Sequence, residues 1–258
     1  MSVLDPINIL YAFLIFVRIG GLMVSAPFFE QSFIPIQIKV FLSALIAYSL
    51  IGIVPQPEQP DVLHPVALLI FVLIEFLTGV VIGLAARFIF FAIRFAGEFI
   101  GFQMALSISQ VISPADGQAS NPISNILMMT FLMVFLLLDG HHQLFEALMA
   151  SFNVIPLAQG VIANSGNLML TWTGQLFIIA VRLAAPFMVT IFLVDMTLGI
   201  FARVAPQTEI FSQSLSLKLI VGVGLVYLYI GNFFPLIPSL LTQMTDHILD
   251  MIEAIMPV

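Results

Sequence analysis

Six charged side chains sit within stretches apolar enough for a bilayer: Glu75, Arg87, Arg94, Glu98, Arg182 and Asp195. Ionisable groups inside a membrane are costly, so each is a functional hypothesis: a proton or ion relay in a transporter, or an ion pair between subunits in an assembly. Arg94 and Glu98, at i and i+4, can pair with each other. Arg182 and Asp195 fall on different sides of one helix, so their partners are expected on other helices, in this chain or another. Asp139, His142 and Glu146 would share a helical face, and His with carboxylates can bind zinc. No fourth ligand lies nearby and the chain has no cysteine, so this cluster reads as a polar helix junction and no metal is expected. The Met128, Met129 and Met133 group reads as membrane filler. GxSxG, HExxH, Walker A and GxGxxG patterns are all missing, and nothing places a serine beside a base.

The elements that must position these residues are membrane helices. The chain is 61% hydrophobic and 8% charged, with a mean hydropathy of +1.16, whereas soluble domains are roughly 45–50% apolar and about 25% charged. The fold class read from this is an all-α integral membrane protein with about six long hydrophobic helices. A net charge of −7 excludes nucleic acid as a partner, since no basic patch exists to neutralise phosphates. The first apolar run has no basic leader before it and contains Arg18, so it reads as a retained membrane helix and not a signal peptide.

Turn and breaker residues then divide the chain. Helices are expected over Pro6–Val24, Ile36–Val54, Val66–Ser113, Ile126–Leu138 with a continuation to Phe152, Leu170–Val204 and Phe211–Phe234. Pro235 and Pro238 should kink or break the last one, leaving an amphipathic tail to Met256 that carries Asp246, His247, Asp250 and Glu253. The third helix is over-long. Without a proline from Val66 to Ser113, it would run roughly 70 Å against a hydrocarbon core of about 30 Å, so it must break, project well beyond the bilayer or sit in an assembly that is not a simple bilayer protein. Gly79 and Gly83, then Gly97 and Gly101, lie on one stripe of it at GxxxG spacing, which marks a close-packing face. With the N-terminus outside, Lys39, Arg87, Arg94, Arg203 and Lys218 fall at or toward cytoplasmic helix ends, in keeping with the positive-inside rule.

One stretch departs from this pattern. Phe102–Asn125 (FQMALSISQVISPADGQASNPISN) is rich in Ser and Gln and contains Pro114, Asp116 and Gly117. It cannot continue a lipid-facing helix, yet Leu106, Ile108, Val111 and Ile112 keep its first half apolar. Irregular backbone at membrane depth is tolerated where protein buries it or where it lines a cavity.

The run Ile100–Pro156, with its "SPADGQ", "DGHH" and "SFNVIP" segments, and the later "RVAPQTEIF" together resemble the FliR family of flagellar type III export-gate proteins. The resemblance covers nearly the whole chain and is closer to the flagellar members than to their virulence-secretion counterparts. It implies a subunit that assembles with FliP and FliQ into a closed helical cone at the bacterial inner membrane, in the flagellar basal body. FlhB joins that cone, and unfolded flagellar substrates pass through its centre. It implies no cofactor and no catalysis. It implies a FliP-like part over about 1–165 and a FliQ-like hairpin over about 166–258, with Ala205, Pro206 and Gln207 at the cytoplasmic tip. The family's pore plug carries over to Leu106–Ser120, where Leu106, Ile108, Val111 and Ile112 would exclude water while Pro114, Asp116 and Gly117 make the turn. The glycine stripe, Arg87, Arg94, Glu98, Arg182 and Asp195 would then serve packing and charge links between subunits. The alternative is a secondary transporter for a small solute, which would predict an internal repeat with paired broken helices; no repeat is evident between the halves. A third reading is a structural assembly subunit with no pore contact.

Overall fold

Proline opens four of the helices, at Pro6, Pro27, Pro65 and Pro122, where its missing N–H would have had no intrahelical partner and its fixed φ suits the first turn. The computed structural model describes residues 6–30, 34–55, 65–106, 121–159, 165–204 and 210–255. Among them every regular element is helical: α1 (Pro6–Ser25), α2 (Pro27–Glu30), α3 (Ile36–Leu50), α4 (Pro65–Gln103), α5 (Pro122–Leu137), α6 (Gly140–Val154), α7 (Ser165–Val204), α8 (Ile210–Phe233), a 3₁₀ turn (Phe234–Leu236) and α9 (Ile237–Ala254). The turn holds Pro235 where a break was expected.

Among the described residues, four helical stretches are long and apolar enough to cross a membrane, and there are five if the broken pair α5–α6 counts as one span. The apolar α3 has only 15 residues, shorter than the expected Ile36–Val54; at about 22 Å it is less than a hydrocarbon core. The 39 residues of α4 and 40 of α7 give lengths of about 58 and 60 Å, so the over-long third helix is real, though it ends ten residues before Ser113.

The chain packs as two compact units, each built from separated segments. The first comprises Met1–Ile89, Asp139–Thr173 and Leu241–Val258. Its core holds Leu14, Ile15, Ile19 and Leu22 of α1 with Leu144, Leu148 and Phe152 of α6. α1 packs against α3 and, through glycines, against the first part of α4. α9 is amphipathic: Leu241, Met244, Ile248, Met251 and Ile255 recur every three or four residues and are buried, while Asp246, Asp250 and Glu253 are exposed. That is the spacing of one helical face turned to a core. Trp172 stacks on His247 of α9 at 4.6 Å and meets Phe88 edge-on at 5.7 Å.

The second unit comprises Phe90–Leu138 and Gly174–Leu240. Phe90 of α4 is buried edge-to-face between Phe131 and Phe135 of α5, at 4.8 and 5.5 Å. α7 and α8 run antiparallel here, because Asp195 meets Lys218 at 2.6 Å and Phe187 meets Tyr229 at 5.5 Å.

Candidate functional site

The stretch that broke the helical pattern is flanked by a left-handed turn at one end and a side-chain cap at the other. α4 stops in a Schellman turn: Leu106 N–H donates to Gly101 O and Ala105 N–H donates to Phe102 O, both at 3.0 Å. Ala105 takes the left-handed conformation, φ 61°, that such a turn requires and that glycine normally supplies. Residues 107–120 lie outside the described residues. The chain returns at Asn121, whose side-chain oxygen accepts the Ile123 N–H at 3.0 Å and caps α5 ahead of Pro122. The same side chain donates through Nδ2 to Gly97 O on α4, at 3.1 Å. Ser124 Oγ donates to Arg94 O at 3.1 Å. Asn121 and Ser124 are both buried, so these bonds form away from water, where an unmade partner is expensive.

Glycine makes this closeness possible. A Cβ on Gly101 would overlap the Asn121 amide, and one on Gly97 would overlap Ser124, whose backbone N lies 2.9 Å away. Met104, buried in the turn that follows α4, packs onto the backbone of Gly222 in α8, where an added Cβ would come 2.5 Å from Met104 Cγ and Cε. The two feet of the 107–120 segment are therefore joined to each other, and the first is braced by α8.

The other pair of glycines does similar work in the first unit. A Cβ on Gly79 would overlap Arg18 O, and one on Gly83 would overlap Ser25 Oγ. Both GxxxG faces thus have partners within this chain, α1 for one and α5 for the other. The expectation was a face toward another subunit; the space each missing Cβ leaves is filled by this chain's own helices.

The charges resolve into different situations. Glu75 is fully buried, and so is Arg18. Arg18 Nε donates to Glu75 Oε2 at 2.5 Å and Nη2 donates to Oε1 at 3.0 Å. Nη1 donates to the carbonyls of Ser151 and Ile155, at 3.2 and 3.1 Å, and the guanidinium lies 4.4 Å from the centre of the Phe152 ring. Glu75 Oε1 also accepts the Ala158 N–H at 2.7 Å, with Ala158 itself left-handed at φ 68°. One ion pair thus ties α1, α4 and the end of α6 together. Asp195 finds its partner in this chain, Lys218 of α8. Arg94 and Glu98 form no ion pair among the described residues. Arg94 is exposed, while Arg87 and Glu98 are half-buried. Arg182 is exposed on α7 and borders a cavity of about 190 Å³ otherwise lined by residues such as Ile100, Leu127, Phe187, Val226 and Phe233. No hydrogen bond or ion pair engages Arg182 among the described residues.

Of the expected plug residues, only Leu106 is described, half-buried at the end of the Schellman turn. Ile108, Val111, Ile112, Pro114, Asp116 and Gly117 lie outside the described residues, as do Ala205, Pro206 and Gln207. The junction cluster differs from its expected membership. Glu146 is exposed and outside it, while His141 joins Asp139 and His142. Three features escape sequence reasoning. In the sequence Arg18 reads only as an interruption of an apolar run, though it is as much an intramembrane charge as Glu75. Asn121-Pro122 carries a legible N-cap and N1 signal that places the start of α5 four residues before Ile126. The Met104–Gly222 contact left no local mark.

The family described as bacterial export proteins, family 1, matches residues 9–244. The chain is similar to the flagellar biosynthetic protein FliR of Pectobacterium carotovorum subsp. carotovorum, 31% identical over 242 residues, covering 93% of this chain and 90% of that one. It is similar to FliR of Bacillus subtilis, 31% identical over 241 residues, covering 86% and 90%. It is also similar to the surface presentation of antigens protein SpaR of Shigella flexneri, 27% identical over 214 residues, covering 83% and 82%.

Proposed function

The chain belongs to family 1 of the bacterial export proteins, the family of the FliR proteins, and from that premise we propose that it is a core subunit of the flagellar type III export gate. As a membrane-embedded export component it works with FliP and FliQ, forming a helical channel for unfolded flagellar subunits in the inner membrane, at the base of the flagellum, with FlhB alongside. The chain acts as a conduit wall and gate, and no step of chemistry is assigned to it. Residues 1–165 form its FliP-like part and 166–258 its FliQ-like hairpin; the antiparallel pairing of α7 with α8 supports the second assignment.

One observation carries the gating role: the Asn121 bond to Gly97 O, which pins the return of the 107–120 segment onto the helix it left. This bond keeps the base of the plug on the wall of the channel. Ile108, Val111 and Ile112 exclude water and ions at rest, and Pro114, Asp116 and Gly117 make its turn. Arg182, which has no partner among the described residues and lies beside an apolar cavity, links this subunit to a carboxylate of a neighbouring one. Gly79, Gly83, Gly97 and Gly101 serve the wall from within, letting α1 and α5 lie close against α4.

Deletion of Ser109–Gln118 tests the plug. With FliP and FliQ co-expressed, the deletion should raise membrane conductance to ions well above that of the intact chain. Unchanged conductance, in an assembly that still co-purifies, would overturn the gating role.

A further inference from the structure

We propose that Asp139, His141 and His142 form a binding site for a late first-row divalent transition ion of the zinc, nickel or copper class. One donor atom from each residue lies within 4.8 Å of the donors of the other two. Binding a common ion asks for donors about 3 Å apart around metal–ligand bonds of roughly 2.0–2.2 Å, a closure that two exposed side chains can complete by small rotations. Asp139 Oδ1 and His142 Nδ1 already stand at 3.2 Å, and both side chains are mostly exposed, 71% and 66%. The His141 and His142 rings lie 4.3 Å apart and tilted by 35°, so two imidazoles from adjacent residues converge instead of diverging around the helix.

Two features separate this cluster from an ordinary helix start. Asp139 precedes α6 at the position where aspartate normally caps a helix, yet its side chain makes no cap hydrogen bond. Its carboxylate faces the histidines. His141 Nδ1 is buried and has no hydrogen-bond partner, an expense that native structures seldom leave unanswered. A cation held between the rings and the carboxylate is a partner of the right sign for a neutral imidazole nitrogen.

Chemistry selects the ion. Two imidazole nitrogens and one carboxylate oxygen suit zinc, nickel and copper, whereas magnesium and calcium favour all-oxygen sets. Three protein ligands leave the remaining positions to water, the pattern of an open site.

The test uses the full chain purified in mild detergent with a histidine-free affinity tag and stripped with a chelator. Zinc chloride is titrated calorimetrically, with magnesium chloride as the control. One equivalent of zinc per chain should bind, and magnesium should not. D139N and H142Q, both at exposed side chains, should each weaken zinc binding by roughly 10-fold or more, and H141Q/H142Q should abolish it. Absence of zinc binding to the wild-type chain, binding undiminished in D139N and H142Q, or equal binding of magnesium would each overturn the site. None of these outcomes depends on the export reading.

Discussion

Arg18 and Glu75 are the residues on which the first unit turns. Both are fully buried, and their bidentate geometry is the arrangement in which a charge pair best offsets its desolvation. The remaining donors and acceptors are used as well, on the Ser151 and Ile155 carbonyls and the Ala158 N–H. Removing one partner should cost much more than replacing both. We expect Arg18→Ala to lower stability by about 3–5 kcal/mol, because it leaves an uncompensated buried carboxylate. Arg18→Met combined with Glu75→Met should recover most of that loss, as measured by thermal unfolding in detergent; equal loss in the single and double variants would refute the account. Arg18→Lys should also be costly, since an ammonium cannot span the carboxylate and both carbonyls in one plane. Half of this node was legible in the sequence. Glu75 stands out as a charge in an apolar run, but the identity of its partner depends on a contact 57 residues away in the chain, and periodicity carries no such information. Asp195 illustrates the same limit from the other side. Its partner was expected on another helix, and only the hairpin register identifies Lys218.

Among the elements, the end of α4 teaches most. The helix was expected to reach Ser113 because no proline interrupts it, and it stops at Gln103 because Ala105 turns left-handed. A glycine there would have announced the stop; alanine conceals it. Since L-residues with a side chain cost roughly 1–2 kcal/mol in that conformation, Ala105→Gly should raise the unfolding temperature of the purified chain, and no change or a decrease would show that the turn is not formed. α5 was misplaced in the opposite direction, although Asn121 and Pro122 spell out its start, because the Ser and Asn residues around them read as loop. The α4–α5 pairing itself rests on Gly97 and Gly101. Gly97→Val should force α5 away from α4, since its Cβ would meet the Ser124 backbone rather than a movable side chain end. We expect loss of the assembled protein from membranes in that variant, on immunoblots, with far less effect from Gly174→Val, where nothing lies near the position of the new Cβ.

At the scale of the whole molecule, composition alone settled the membrane class and the helical fold, and the structure agrees with both. The outward faces of α3, α7 and α8 carry large apolar side chains, among them Phe41, Tyr48, Phe192, Ile200, Ile220, Tyr227 and Leu228. Contiguous exposed apolar surface marks contact with lipid or with other chains, and helices of about 58–60 Å have more of it than a bilayer covers. The chain made without FliP and FliQ should therefore accumulate poorly and turn over quickly, and co-expression should restore its level in a pulse-chase measurement, because binding partners stabilise whatever they bind in the native state. Equal lifetimes with and without them would count against a partner-dependent subunit. What the sequence left hidden is the interleaving of the two units. Local patterning shows where a helix buries a face, never which distant segment covers it, so nothing in α9 announces that it belongs with Met1–Ile89.

That interleaving has a consequence in time. Ribosomes add about 5–20 residues per second, so on the order of ten seconds or more separates synthesis of Ile89 from that of Leu241. Throughout that interval the first unit lacks α9 and the cover it gives to Trp172 through His247. The order of manufacture thus sets the order of completion: the second unit, whose segments end at Leu240, has all its parts before the first one does, and a nascent chain released between Leu240 and its end can finish only the second.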